Sequence, residues 1–382
     1  MPAGRLDLYS AREHRSVDHI GKHIERRFRR LFLGSLRLMR SRAGDPAGLA
    51  DLRAPAILLI RHDRIGDAII STPAIELLRH RFPDARIDIL LGRRNAAAAG
   101  ILPFIDDHFI LPAAASGTMA TIGAVRKRKY DVAINLLAKD SASGALLTGL
   151  VAARYRIGFA GAASSAYDFP VEKPATALHI VEQTARLLQP FGIDTRRESI
   201  PALSVRIPPE ARASAKLAMA RITGDDRGAN VIINISGSGP EKFWGEERYA
   251  GLLTLLRGRG LAPILAASPA DGERLRRIAV AGGARFLPPV ADLATFAAML
   301  AHADMIVTPD TSIVHIAAAL GRPTVMLAGA AETGNIWGPW HVANRVVHGD
   351  GSLAAIAIEN VHSAIESLAS ETLLSISPSS AS

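Results

Sequence analysis

The segment Met305–Leu327, MIVTPDTSIVHIAAALGRPTVML, is the clearest run of alternating structure in the chain. Met305, Ile306 and Val307 form a short apolar run, the pattern of a buried strand. Thr308-Pro309-Asp310-Thr311 follows as a turn and ends at Thr311, a good N-cap residue. Ile313 to Leu320 reads as a helix, and Gly321 stands where it should stop. Arg322-Pro323 then leads into a second apolar run, Thr324 to Leu327. Strand, helix and strand joined by minimal loops make the unit of a parallel sheet. In that unit the helix N-terminus opens at the carboxyl edge of the sheet, where its free N–H groups attract phosphate. Thr308, Asp310, Thr311, Ser312 and, about one turn further on, His315 gather at this edge. A structural turn needs the cap but not the histidine. The residues alone therefore leave two readings, a capped helix in a Rossmann-like sheet or a site for an anion.

The same alternation extends in both directions. Upstream, Ala56–Arg61 is the first clear strand, and its loop, His62-Asp63-Arg64-Ile65-Gly66-Asp67, runs straight into helical sequence. Thr72-Pro73 looks like a cap and first helical position, so the helix is predicted to pause and restart there. Further strands are predicted at 86–91, 108–111, 131–136 and 155–159, with 160–177 as a long Gly-, Ala- and Ser-rich loop and a helix over 179–190. Residues 193–208, with charges and two prolines, read as the connection to a second alternation. That one begins with a strand over 231–235, then Ser236 to Trp244, then helices and strands up to a last helix at 358–368. The expected organisation is an N-terminal extension (1–50), two Rossmann-like domains (51–205 and 206–370) facing a cleft, and a disordered Ser-rich tail (371–382).

Composition sets the outer limits. The chain has 382 residues, 48% of them hydrophobic, which suffices for two ordinary cores and excludes global disorder. No apolar run approaches the length of a membrane span, and the charged N-terminus lacks the pattern of a secretory signal. The absence of cysteine removes disulfides and thiolate metal sites and fits a cytoplasmic location. The net charge of +9 is uneven: residues 1–50 hold eleven Lys and Arg against five Asp and Glu. There Ile20, Ile24, Phe28, Leu31, Phe32, Leu36 and Met39 recur at helical spacing beside six arginines. A basic amphipathic helix at 20–42 resting on the anionic inner face of the cytoplasmic membrane is the expectation, against a helix packed on the body. Nucleic acid is not expected as a partner, because aromatics are only 5% overall.

Each half offers one polar cluster at a strand-to-helix loop: Asp67 in the first, with Arg61, His62, Asp63 and Arg64 nearby, and Lys242 with Asp310–His315 in the second. A lysine and a helix N-terminus together suit a diphosphate, and a lone carboxylate across a cleft suits a general base. A carboxylate at a helix N-terminus also gains about 0.3–1 kcal/mol from the helix dipole, so its position alone does not assign Asp67 a role. Neither G-x-G-x-x-G nor G-x-x-x-x-G-K-[ST] occurs after the strands, and the histidines show no metal-ligand spacing.

Three segments, taken together and in this order, resemble glycosyltransferase family 9, the ADP-heptose:lipopolysaccharide heptosyltransferases. They are ILLIRHDRIGDAIISTP at 57–73, the run from Asn234 ending Lys242-Phe243-Trp244, and Asp310-Thr311 with His315 and the Leu320-Gly321-x-Pro323-Thr324 that follows, before Trp337-Gly338-Pro339. The resemblance covers roughly 56–369 and implies a GT-B fold with the donor held mainly by the second domain. It implies inverting, metal-independent transfer without a cofactor, from a nucleotide-activated heptose such as ADP-heptose to a hydroxyl of a glycolipid or glycan. Asp67 matches the proposed catalytic base, Lys242 the donor-phosphate lysine, and Thr311, Ser312 and His315 the diphosphate-binding turn. Asp310 matches an invariant position, and Trp244 is expected to pack rather than bind. Ser312 stands where the family usually has glycine and Gly245 where proline is common, departures that bear on the donor rather than the fold. Another nucleotide sugar, a non-catalytic glycan-binding module and a sugar-nucleotide epimerase are the competing readings.

Overall fold

The computed structural model describes residues 48–372 except 50, 139–140, 163, 225–227, 238 and 260. The basic N-terminal extension and most of the Ser-rich tail lie outside the described residues. Apolar runs become strands and the stretches between them become helices. The first half runs β1 (Ala56–Arg61), α1 (Ile65–Ile70), α2 (Thr72–Arg81), β2 (Arg86–Gly92), β3 (Asp107–Leu111), α3 (Ala115–Lys127), β4 (Val132–Asn135), α4 (Ala142–Leu150), β5 (Tyr155–Phe159), β6 (Phe169–Val171) and α5 (Ile180–Ala185). The second runs α6 (Pro209–Thr223), β7 (Asn230–Asn234), α7 (Glu246–Gly258), β8 (Ala262–Ala266), α8 (Gly272–Gly282), β9 (Arg285–Phe286), α9 (Leu293–Leu300), β10 (Met305–Pro309), α10 (Ser312–Ala319), β11 (Thr324–Ala328), α11 (Ala331–Trp337), β12 (Asn344–His348) and α12 (Ile358–Thr372).

These strands make two six-stranded sheets, ordered β3-β2-β1-β4-β5-β6 and β12-β11-β10-β7-β8-β9. Every strand pairing is parallel. Counted within its own half, each sheet has the same order, and each reverses direction once, between β1 and β4 and between β7 and β10. A crevice opens at the carboxyl ends of the strands at such a reversal. Central strands of a doubly covered sheet must be apolar on both faces, and Ile57–Ile60 and Val231–Ile233 are all fully buried.

The predicted restart at Thr72-Pro73 is present: α1 ends at Ile70, Ser71 bridges, and α2 begins at Thr72. Asp292 caps α9 through its carboxylate, which accepts from the N–H groups of Ala294 and Thr295. Some expectations need correction. The loop predicted over 160–177 contains β6, an edge strand that tolerates Pro170 because one side of it has no partner. The helix predicted over 179–190 is α-helical only to Ala185 and then tightens into a 3₁₀ turn at 186–191, which holds Pro190. α6, α11, β9 and β12 were not anticipated, and α12 continues through Thr372 into the first two residues assigned to the tail.

The two halves share a core. One hydrophobic cluster includes Ile69, Ile70 and Ile75 from the first half and Ile306, Ile313, Ile316 and Trp340 from the second. At its centre α1 packs on α10. The approach is close enough that a Cβ added at Gly66 would lie 2.9 Å from His315 Cδ2 and 3.3 Å from the Ser312 Cα. Among the described residues no helix is long and apolar enough to cross a membrane.

Candidate active site

In the first half, β1 ends at Arg61, whose side chain is fully buried. Its carbonyl accepts from the Asn95 side chain at 2.8 Å, which fixes the exit of the strand. Arg61 Nε donates to the main-chain oxygen of Asp67 at 2.9 Å, and Nη1 donates to the carbonyl of Leu136, at the end of β4. Nη1 also lies 3.5 Å from Asp63 Oδ2, and Nη2 lies 3.7 Å from Asp67 Oδ1. Arg64 takes the N-cap position of α1 without a side-chain cap, and its main-chain N–H donates to the Asp67 carboxylate in the first turn. The Asp67 side chain is 14% exposed. Burial pushes its carboxyl above the usual carboxylate range; the Arg61 charge opposes that shift and Asp63 adds to it. The result is a more basic carboxylate than a solvated aspartate. His62 shares a hydrogen bond of 3.1 Å with Ser143 Oγ, and burial holds it below the usual imidazole range.

In the second half, the carboxyl ends of β7 and β10 are tied together by Asn234 Nδ2, which donates to Thr308 Oγ1 at 3.0 Å. Thr308 Oγ1 and Thr311 Oγ1 share a hydrogen bond of 3.2 Å, and Thr311 accepts from the N–H of Ile313, capping α10. Lys242 enters from a 3₁₀ turn, Pro240–Lys242, and its Nζ donates to Asp310 Oδ2 at 2.6 Å and to the Asp310 carbonyl at 2.8 Å. Gly237 permits this, since a Cβ there would lie 2.5 Å from Lys242 Cβ. The charge of Lys242 is thus matched by Asp310 at the foot of α10. His315 is 4% exposed, and burial pushes it down to about 3, so it is neutral at ordinary pH. Its Nδ1 is buried without a hydrogen-bond partner.

The predicted residues thus fall into groups that meet at one interface. Lys242, Asp310, Thr311 and Ser312 lie around the N-terminus of α10, and His315, one turn along it, touches Gly66 beside Asp67. Trp244 packs, fully buried, with Nε1 donating to the Ile356 carbonyl at 2.9 Å.

Sequence reading missed a second bridge between the halves. His179 stacks on Trp340 with ring centroids 4.7 Å apart, and Arg197 lies 4.4 Å from the centroid of the same indole. His179 Nδ1 accepts from the N–H of Val181, which leaves Nε2 to donate to the Gly338 carbonyl at 3.0 Å. Trp337-Gly338-Pro339 had marked this region, but nothing in the pattern pointed from it to His179.

Two parallel six-stranded sheets in Rossmann order make the GT-B architecture seen in solved structures that this chain resembles. The chain belongs to glycosyltransferase family 9 (heptosyltransferase), whose family model matches residues 119–358. The chain is 28% identical over 293 residues to lipopolysaccharide heptosyltransferase 3 of Escherichia coli, covering 72% of this chain and 83% of that one. It is 25% identical over 291 residues to lipooligosaccharide heptosyltransferase 2 of Haemophilus influenzae, with 72% and 83% covered. Among solved structures it resembles a family 9 glycosyltransferase of Veillonella parvula, with a TM-score of 0.71 at 20% identity, covering 84% of this chain and 98% of that one. It also resembles a heptosyltransferase of Escherichia coli solved with ADP, with a TM-score of 0.66 at 21% identity, covering 82% and 99%. The family match begins downstream of Asp67, so the role of that residue rests on its geometry and on the 57–73 motif.

Proposed function

We propose that this glycosyltransferase moves a heptose from ADP-heptose to a hydroxyl of lipopolysaccharide core or a related cell-surface glycan, inverting the anomeric centre without a metal or cofactor. Residues 51–205 serve as the acceptor half and 206–370 as the donor half. The observation that supports this reading is the contact of α1 with α10, in which the turn bearing Gly66 and Asp67 lies against Ser312 and His315 of α10. The donor assignment is supported by the named relatives and by the Escherichia coli heptosyltransferase solved with ADP-2-deoxy-2-fluoro heptose.

In this mechanism the acceptor hydroxyl gives its proton to Asp67 as its oxygen attacks the anomeric carbon from the face opposite the nucleotide. The bond from that carbon to the diphosphate oxygen breaks, and ADP leaves. Negative charge grows on the departing diphosphate, where Lys242 and the N–H groups of Thr311 and Ser312 receive it. Lys242 must turn from Asp310 to do so. His315, one turn along α10, assists at the same diphosphate.

The test is product analysis after incubation with ADP-heptose and a heptose-deficient lipopolysaccharide acceptor, with and without a chelator. A heptosylated product of inverted anomeric configuration, unaffected by the chelator, is expected. Transfer only from another nucleotide sugar would move the assignment to that donor. Peripheral binding of residues 20–42 to an anionic membrane belongs to the same proposal, and deleting residues 1–45 should reduce sedimentation with anionic liposomes while leaving soluble-acceptor turnover in place.

A further inference from the structure

A buried guanidinium is costly unless its charge and its five N–H donors are matched. Arg61 is fully buried, and its matching is lopsided. Nε grips the main chain of Asp67, Nη1 grips Leu136 and approaches Asp63, and Nη2 is buried with no hydrogen-bond partner. The carboxylate oxygen paired with that unspent group is Asp67 Oδ1, at 3.7 Å. One side chain therefore holds the backbone of Asp67 and faces its carboxylate, while Asp63 draws on the same cation from the other side. If strand anchoring were the whole role, Arg61 would not need a donor aimed at Asp67.

We propose that Arg61 is a positioning residue that aims the Asp67 carboxylate and keeps it ionised, and that Asp63 limits how strongly it does so by competing for the guanidinium. This rests on the reading of Asp67 as the base. Other titratable or charged groups stand close by. His62 and Arg64 lie on the same loop, and His315 faces α1 from α10, with Lys242 and His179 near it.

The two substitutions should push in opposite directions, which a merely structural role would not produce. The measurement is the pH dependence of kcat/KM for the full chain with ADP-heptose, read at its acid limb. Asp63→Asn frees Arg61 for Asp67 and should move the limb to lower pH. Arg61→Gln removes the cation and should move it to higher pH by about one unit or more. It should also lower kcat more than it changes the KM for the donor, and Arg61→Lys should restore the limb in part. Asp63 is 28% exposed, so Asp63→Asn gives its sign even if Arg61→Gln does not fold. A limb unmoved or raised in Asp63→Asn overturns the proposal, as does a limb unmoved in a folded Arg61→Gln. Asp67→Asn separates the two layers. Parental turnover in that variant defeats the base reading itself, whereas lost turnover there, with the limb fixed in the other variants, defeats only the positioning role.

Discussion

The two strand-to-helix turns that meet at the interface share a fold and differ in their electrostatics. After β1, the helix α1 has no side-chain cap, a carboxylate stands in its first turn, and a buried arginine lies beneath. After β10, the helix α10 is capped by the hydroxyl of Thr311, and the nearest charges, Lys242 and Asp310, match one another at its foot. The first turn concentrates basicity on one oxygen pair. The second keeps polar hydrogens and a cation ready for an anion and carries little net charge of its own. Under the proposed mechanism one backbone solution would handle a proton in one copy and a leaving group in the other, and the charged side chains around each turn make the difference.

If that division holds, substitutions in the two turns should fail differently. Asp67→Asn keeps size and much of the hydrogen bonding but cannot take the proton. Single-turnover transfer should slow on the order of 10²–10⁴-fold, with calorimetric donor affinity nearly unchanged. Loss of donor binding in that variant would erase the contrast. Lys242→Ala should weaken donor binding and slow transfer together, by roughly 10–100-fold in affinity, because it removes a charge-assisted contact to the diphosphate. Gly66→Ala tests whether the two turns depend on their contact. Its methyl would press on His315 and the backbone of Ser312, so a loss of about 1–3 kcal/mol is expected in chemical denaturation.

The last contrast is a pH dependence of stability, in which His315 and Asp67 act in opposite directions. His315 is held down to about 3 and His179 to about 4, both by burial. The unfolded chain takes up those protons as pH falls through about 6.5, before the folded protein does. Their contribution is therefore complete above that pH and declines as pH drops toward the folded values, by at most about 1.4 kcal/mol per pH unit for each histidine. Asp67, whose folded value is raised, works the other way, and stability from it grows as pH falls through that value. Urea midpoints followed from about pH 7.5 to about pH 4.5 should decline in the parent and more gently in His315→Gln.

The centre of each sheet could be read from the sequence, and the edges could not. β1 was anticipated to the residue and β10 nearly so, because strands buried on both faces must be unbroken apolar runs. β9 has two residues and β12 is mostly half-buried, so neither shows such a run. α6, with the sequence PEARASAKLAMARIT, buries only Ala211, Ala215 and Met219, a stripe too small to stand out beside the prolines before it. At the site, residue types and their strand-end positions pointed to chemistry. Who touches whom did not follow from the pattern: Gly66 against His315, or His179 on Trp340, joins elements far apart in the chain.

The shared core has a consequence for how the molecule comes apart. Paired domains usually meet across a modest polar interface and swing on a hinge. Here Ile69 and Ile70 lie in one apolar cluster with Ile313 and Ile316, so parting the sheets would wet side chains that are otherwise dry. In the language of unfolding, this shared cluster should couple the two sheets, although each half also keeps a core of its own. Heating should take both apart in a single calorimetric transition, with no stage at which one half survives alone.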